Sequence, residues 1–264
     1  MASKGIILFD IDGVIRDVSC SYRLALQRTV AKFCDWEPTN QDIDSLKAEG
    51  CWNNDWDASF ELIQRHVESN NLSIILPTKE RLISSFSNFY FGDNPDGGPS
   101  QWNGLILNEP LLVGRDLFQE LSNQKICWGF VSGAEPPSAK FVIESRLNLK
   151  GAPLLAMGDA PEKPDPRGLI TLSRKILSKQ LGPNTPPIAY IGDTVADVLT
   201  VKNARKHEPT QSFLSIAVAP PHLHHPQKLL EREIYERMLK DAGADIILQS
   251  TKDIVQFLSE QWKD

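Results

Sequence analysis

Cysteine is scarce in this chain: four residues in 264, Cys20, Cys34, Cys51 and Cys127, with no CxxC pair among them. That spacing provides neither a thiolate zinc site nor the framework of a small disulfide-rich domain, and it reads as reduced thiols in a cytoplasmic protein. Long apolar runs are missing too; none approaches the ~20 residues that a membrane-spanning helix needs. Residues Met1–Gly5 lead straight into a strand-like stretch, Ile6–Phe9, and no secretory leader is expected. There is no excess of base: 28 Lys and Arg against 34 Asp and Glu leave a net charge of −6. That balance argues against a protein whose main task is gripping nucleic acid or another polyanion. Fixed-period repeats and low-complexity tracts are likewise absent. What remains is an ordinary globular balance, 41% apolar and 23% charged. A chain of this size buries roughly three quarters of its unfolded surface, enough for one core, or a core and a satellite domain, without covalent staples.

The second half of the chain alternates apolar runs with helical spacing. Strands are expected at Lys125–Val131, Ala152–Met157, Ile188–Ile191, Phe213–Val218 and Asp245–Leu248. Helices are expected at Pro136–Leu147, Arg167–Leu181, Val195–Arg205, Lys228–Ala242 and Lys252–Trp262. Short apolar strands separated by helices imply a parallel sheet covered on both faces, the doubly wound α/β class. The first half offers one strand, Gly5–Phe9, and then only helical signals: Tyr22–Phe33, a segment capped by Thr39 with Asp42 three residues on, one capped by Asn54 or Asp55 and running to Glu68, and one capped by Thr78 and running to Phe89. The Gly/Pro/Asn/Asp-rich stretch Gly92–Ser100 reads as a return linker. The expected organisation is an α/β core of residues 1–16 and 101–264, with an all-helical domain, 17–100, inserted after the first strand.

Chemistry concentrates at strand ends. Phe9-Asp10-Ile11-Asp12-Gly13-Val14 places two carboxylates two residues apart at the end of an apolar strand, hence on one side of it, with a glycine that lets the backbone turn away. The carboxyl end of such a strand is where open α/β sheets bind ligands. Alone, this is as readily an Asp-Gly turn. Three further strand ends supply matching groups: Ser132-Gly133, a hydroxyl and free amides before a helix; Lys163 in Glu162-Lys163-Pro164-Asp165-Pro166; and Asp193 with Asp197 in Gly192-Asp193-Thr194-Val195-Ala196-Asp197. Each has a plain structural explanation as a turn, a surface lysine or a cap. Four in this order, each after an expected parallel strand, are poorly explained by chance.

With these four motifs the chain resembles the haloacid dehalogenase superfamily of hydrolases. Asp10 and Asp12 match its first motif, Ser132 the second, Lys163 the third, and Asp193 with Asp197 the fourth. The helical insert is similar to the C1 cap of subfamily IA. The resemblance implies Asp10 as nucleophile, Asp12 as general acid and base, and Mg²⁺ held by Asp10, the backbone carbonyl of Asp12, and Asp193. It implies a phosphoryl group held by Ser132, Gly133 and Lys163, with Asp197 orienting Lys163 or a metal-bound water. A carboxylate can attack phosphorus and split one hard displacement into two easier ones. The expected activity is a Mg²⁺-dependent phosphatase acting on a small phosphorylated metabolite, with no nucleic-acid or membrane partner. A dehalogenase or phosphonatase would lack the acid at Asp12. A related sugar phosphomutase carries a histidine twelve residues after the nucleophile, where this chain has Tyr22. The mutase stays open as an alternative, as does a phosphate-binding module without turnover.

The insert is expected to choose the substrate. Its most unusual stretch is Gly50-Cys51-Trp52-Asn53-Asn54-Asp55-Trp56-Asp57. Asn53, Asn54, Asp55 and Trp56 are candidate substrate contacts; helix capping by Asn54 or Asp55, with both tryptophans in a core, explains the stretch equally well. This stretch is also similar to a branch of subfamily IA whose members bear histidine-biosynthesis names. Arg16 and Asp17 mark the passage into the insert, with Arg16 a further candidate substrate contact. His222, His224 and His225 could form a transition-metal cluster, but a solvated Pro-rich loop is the favoured reading.

Overall fold

The computed structural model describes residues 3–52 and 54–262. The chain divides into two compact units: Met1–Asp17 with Leu111–Asp264, and Val18–Pro110.

The first unit is built on six strands: β1 (Gly5–Phe9), β2 (Ile126–Val131), β3 (Leu154–Leu155), β4 (Ile188–Gly192), β5 (Phe213–Val218) and β6 (Ile246–Leu248). All pair in parallel, in the order β3-β2-β1-β4-β5-β6. Alternation along β1 shows why both faces are covered. Ile7 and Phe9 pack with Phe118, Val142 and Leu258, whereas Ile6 and Leu8 pack with Leu169, Leu172 and Val201. The unit is therefore an α/β/α sandwich, a doubly wound sheet. Because β1 lies between β2 and β4, the winding direction reverses at β1, and that is where a ligand crevice forms in such sheets.

The expected strand Ala152–Met157 is reduced to β3. It pairs only with β2, and beyond it Ala156 N–H turns to Asp159 Oδ2 at 2.9 Å. The expected helix Pro136–Leu147 is α-helical at Pro136–Lys140 and continues as wider π-type turns over Phe141–Arg146. One further helix, Arg115–Asn123, buries Leu117, Phe118 and Leu121. These fall at helical spacing, but Gly114 precedes the helix with no side-chain cap, so the sequence carries no start signal.

Among the described residues the second unit holds four α-helices: α1 (Tyr22–Cys34), α2 (Asn40–Lys47), α3 (Asp55–Ser69) and α4 (Lys79–Phe91). Thr39 and Asp42 form the expected reciprocal cap of α2, and Thr78 caps α4. Tyr22 packs edge-on against Phe86 and Tyr90, at 4.8 and 4.5 Å between ring centres. The unit runs past residue 100, where its boundary was expected. Trp102 packs at a tilt against Phe91 and donates to the Pro95 carbonyl at 3.0 Å, and Ile106 is fully buried. Buried Glu109 closes it by accepting from Ser21 Oγ at 2.6 Å and Tyr90 Oη at 2.9 Å. A side chain so anchored belongs to this unit and not to the α/β core, in which residues 101–110 were expected. Among the described residues, no helix is long and apolar enough to cross a membrane.

Candidate active site

Register fixes the site before any side chain is considered. Phe9 lies beside Phe130 on one flank and Ile191 on the other. One residue on, Asp10 N–H donates to the Ile191 carbonyl at 2.9 Å. Asp10, Ser132 and Asp193 thus all leave the sheet at the carboxyl edges of three adjacent strands. Lys163 comes from the segment after β3. The helix Val195–His207 begins at Thr194, which forms a reciprocal cap with Asp197.

The centre is a buried row of charge. Lys163 Nζ lies 2.9 Å from Asp10 Oδ1 and 2.6 Å from Asp197 Oδ1. Asp197 is further held by Thr194 N–H at 3.0 Å, Thr194 Oγ1 at 2.7 Å and Tyr190 Oη at 3.1 Å. The same Tyr190 Oη lies 2.9 Å from the Val131 carbonyl, so its one proton serves both acceptors. Burial works to raise Asp197, but the Lys163 charge and these donors hold its carboxyl below the usual range. Burial would lower Lys163, but Asp10 and Asp197 outweigh it and hold the ammonium firmly charged. Asp10 differs: burial dominates over the Lys163 attraction and pushes it up to about 6.

Carboxylate oxygens of Asp10, Asp193 and Asp197 lie within 4.8 Å of one another. Asp10 Oδ1 is buried and, apart from its ion pair with Lys163, has no other partner among the described residues. Hard oxygen donors with an uncommitted lone pair suit Mg²⁺. Two glycines allow this crowding. A Cβ on Gly13 would sit 2.0 Å from Asp193 Oδ2, and the residue has φ +75; a Cβ on Gly192 would sit 2.2 Å from Asp197 Cγ.

Other expected residues fall differently. Ser132 is buried, and its Oγ accepts from Ala134 N–H at 3.2 Å, holding open the turn that contains Gly133. The Asp12 carboxylate turns to Arg16, whose Nε donates to Oδ1 at 2.6 Å. Arg16, a candidate substrate contact, is instead fully buried. Asn54 caps α3, accepting from Trp56 and Asp57 N–H at 3.0 and 3.4 Å. Asp55 pairs with Lys47 at 2.8 Å. Trp56 is half-buried in the first turn of α3. Asn53 lies outside the described residues. Asn54→Ala is expected to destabilise the helical unit by about 1 kcal/mol, the usual value of such a cap, measurable as a lowered urea midpoint at unchanged slope. His222, His224 and His225 do not converge as a metal-holding group; among the described residues only the aspartate cluster does.

Sequence reasoning missed Tyr190, Thr194 and Glu135. Thr194-Val195-Ala196-Asp197 carries the capping-box spacing, and Tyr190 is the one hydroxyl in the run Ile188–Ile191, so both had a signal. Glu135 had none. Burial pushes its carboxyl up to about 7, against the opposing charge of Arg16.

No protein-family model matches the sequence. A curated relative, named imidazoleglycerol-phosphate dehydratase and from Phytophthora nicotianae, is 28% identical over 246 residues; the match takes in 92% of this chain but 49% of that protein, so the chain spans about half its length. Many solved structures share the fold, among them haloacid dehalogenase-like proteins and two proteins solved with phosphate bound. A phosphonoacetaldehyde hydrolase like protein from Oleispira antarctica aligns at TM-score 0.67 and 15% identity, covering 99% of this chain and 94% of its own. Phosphatase Tt82 from Thermococcus thioreducens aligns at TM-score 0.58 and 23% identity, covering 89% of this chain and 99% of its own.

Proposed function

We propose that this chain, which has the haloacid dehalogenase-like fold, is a Mg²⁺-dependent phosphatase that hydrolyses a small phosphomonoester through an aspartyl-phosphate. The observation that carries this reading is the buried row Asp10–Lys163–Asp197 beside Asp193, at the carboxyl edge of the sheet. A buried lysine between two aspartates needs a purpose beyond stability, because desolvating such charges commonly costs as much as their attraction returns. Transfer of a phosphoryl dianion is such a purpose.

Asp10 attacks phosphorus, and the bond from phosphorus to the substrate oxygen breaks. Asp12 gives its proton to the departing oxygen. It then takes one from water, which attacks the phosphorus of the aspartyl-phosphate, releasing inorganic phosphate and restoring Asp10. Lys163 neutralises charge on the transferring group, fixed in place by Asp197. Ser132 Oγ and the Gly133 N–H hold its oxygens. Asp10, the Asp12 carbonyl and Asp193 would hold Mg²⁺, which when bound supplies the positive charge that lets carboxylate and phosphate approach. The helical insert is the part that selects the substrate, since the core groups address phosphate alone.

The relative from Phytophthora nicotianae is named for work on a phosphorylated imidazole compound. That favours a phosphate ester of an imidazole-bearing alcohol as the first candidate within this class. The test is phosphate release from a panel of sugar, polyol, amino-alcohol and imidazole-alcohol phosphates, with Mg²⁺ and with a chelator. Release from at least one, lost on chelation, is expected. No release from any, including an activated aryl phosphate, would exclude the reading.

A further inference from the structure

Tyr190 is buried in the middle of the sheet, level with Leu8 on β1, and its ring belongs to the apolar layer of Ile6, Leu8, Val131 and Leu169. Phenylalanine would fill that layer as well, so the hydroxyl is the part that needs a reason: taken out of water, it costs free energy unless it is bonded. It meets two acceptors, the Val131 carbonyl at 2.9 Å and Asp197 Oδ1 at 3.1 Å. Val131 ends β2 and leads into Ser132, whereas Tyr190 stands on β4. These strands do not pair, because β1 lies between them. The phenol therefore spans the strand that leads to Asp10 and joins its two neighbours.

The two oxygens of Asp197 are divided. Oδ2 accepts from Thr194, from its N–H at 3.0 Å and its Oγ1 at 2.7 Å, and these bonds cap the helix Val195–His207. Oδ1 accepts from Lys163 Nζ at 2.6 Å and faces Tyr190 Oη at 3.1 Å. The phenol thus bears on the oxygen that holds the lysine, not on the one that starts the helix. Lys163 Nζ also lies 5.4 Å from the centre of the Tyr190 ring, so ring and hydroxyl both border the ammonium. An ammonium is a point charge on a flexible stem and takes its position from what surrounds it.

We propose that Tyr190 is a positioning residue: its hydroxyl sets Lys163, through Asp197 Oδ1, at a fixed spacing from the strand end that carries Ser132. Lys163 comes from the segment after β3 and Ser132 from the end of β2, so strand pairing alone does not fix the ammonium against the hydroxyl. The shared contact of Tyr190 does. The inference rests on the phosphatase reading in taking Lys163 and Ser132 as the groups that hold the phosphoryl oxygens.

The test is Tyr190→Phe, which keeps the ring and removes the hydroxyl alone. Inorganic phosphate is titrated by calorimetry into the protein in Mg²⁺, and Mg²⁺ alone is titrated into the metal-free protein. The stoichiometry counts folded sites, so affinity is read on the molecules that fold. Y190F is expected to bind phosphate about three- to tenfold more weakly, the scale of one lost hydrogen bond. Its Mg²⁺ affinity is expected to be unchanged, since Asp10 and Asp193 are untouched. On an alkyl and an aryl phosphate, kcat/KM is expected to fall by the same factor, because both present the same phosphoryl group. A residue that merely filled the core would lower the urea midpoint and leave phosphate affinity alone. Unchanged phosphate affinity would overturn the inference, and so would an equal loss of Mg²⁺ affinity, which marks a general distortion. A wild type that binds phosphate but hydrolyses no ester would overturn the phosphatase reading, and the phosphate titrations would still decide the role of Tyr190. A wild type that hydrolyses esters, with phosphate bound equally by both proteins, would remove Tyr190 and leave that reading standing. A wild type that binds no phosphate would overturn both.

Discussion

Asp10→Asn is expected to stop phosphate release, by on the order of 10⁴-fold or more, the scale of losing an enzyme's attacking group, in a protein that stays folded. The amide has the shape of the carboxylate, so the fully buried neighbours Phe9 and Ile11 are undisturbed. Lys163 keeps Asp197 at 2.6 Å, so the substitution does not strand a buried cation. What would be lost is the proposed nucleophile, since an amide oxygen attacks phosphorus poorly and cannot form an aspartyl-phosphate. The measurement is phosphate release alongside circular dichroism, with the intact mass confirming that the amide has not hydrolysed back. Near-wild-type release from a variant of verified mass would remove Asp10 from its role.

The second large effect is expected at Asp12, where substitution should separate the two chemical steps. Asp12→Asn keeps an oxygen that can accept from Arg16 Nε, so the turn it closes survives. An activated aryl phosphate has a good leaving group, and its first step needs little acid. The second step still needs a base. The variant should therefore release one equivalent of aryl alcohol in a burst and then nearly stall, with the phosphoryl group trapped on Asp10 long enough to detect by mass. With an alkyl phosphate both steps should fail and no burst should appear; losing a general acid or base typically costs 10²–10⁴-fold, so the stall should be of about that order. Steady rates equal to wild type on both esters would show that the proton travels by another route. Asp197 would be a poor replacement, because Lys163, Thr194 and Tyr190 already occupy its oxygens.

The parallel sheet was legible because each strand is an apolar run ending at a turn, and both periodicities are local. Gly5–Phe9 and Phe213–Val218 were placed to the residue, and β4 nearly so. The Thr39–Asp42 cap was legible for the same reason, a hydrogen-bonded pattern three residues long. Where a helix begins without a cap, as at Arg115 after Gly114, the local signal vanishes and only packing marks the start. The far end of the helical unit was misplaced because Gly92–Ser100 has linker composition. Its neighbours Trp102, Ile106 and Glu109 are tied to Phe91, Pro95, Ser21 and Tyr90 by contacts that composition cannot show.

The same division runs through the site. Asp10, Asp12, Ser132, Lys163, Asp193 and Asp197 could be named from the sequence because each sits at a strand end or in the segment that follows one, and a parallel sheet brings its strand ends to one edge. That follows from one-dimensional order and from the rule that parallel strands share a direction. Which of those groups touch was decided by tertiary structure alone. Lys163 lies between Asp10 and Asp197, and Asp12 is held by Arg16. Those pairings depend on angles and distances of a few tenths of an ångström across segments far apart in the chain. Ion pairing and desolvation change steeply over such distances, so residue type and spacing determined the inventory of the site, and packing determined its wiring.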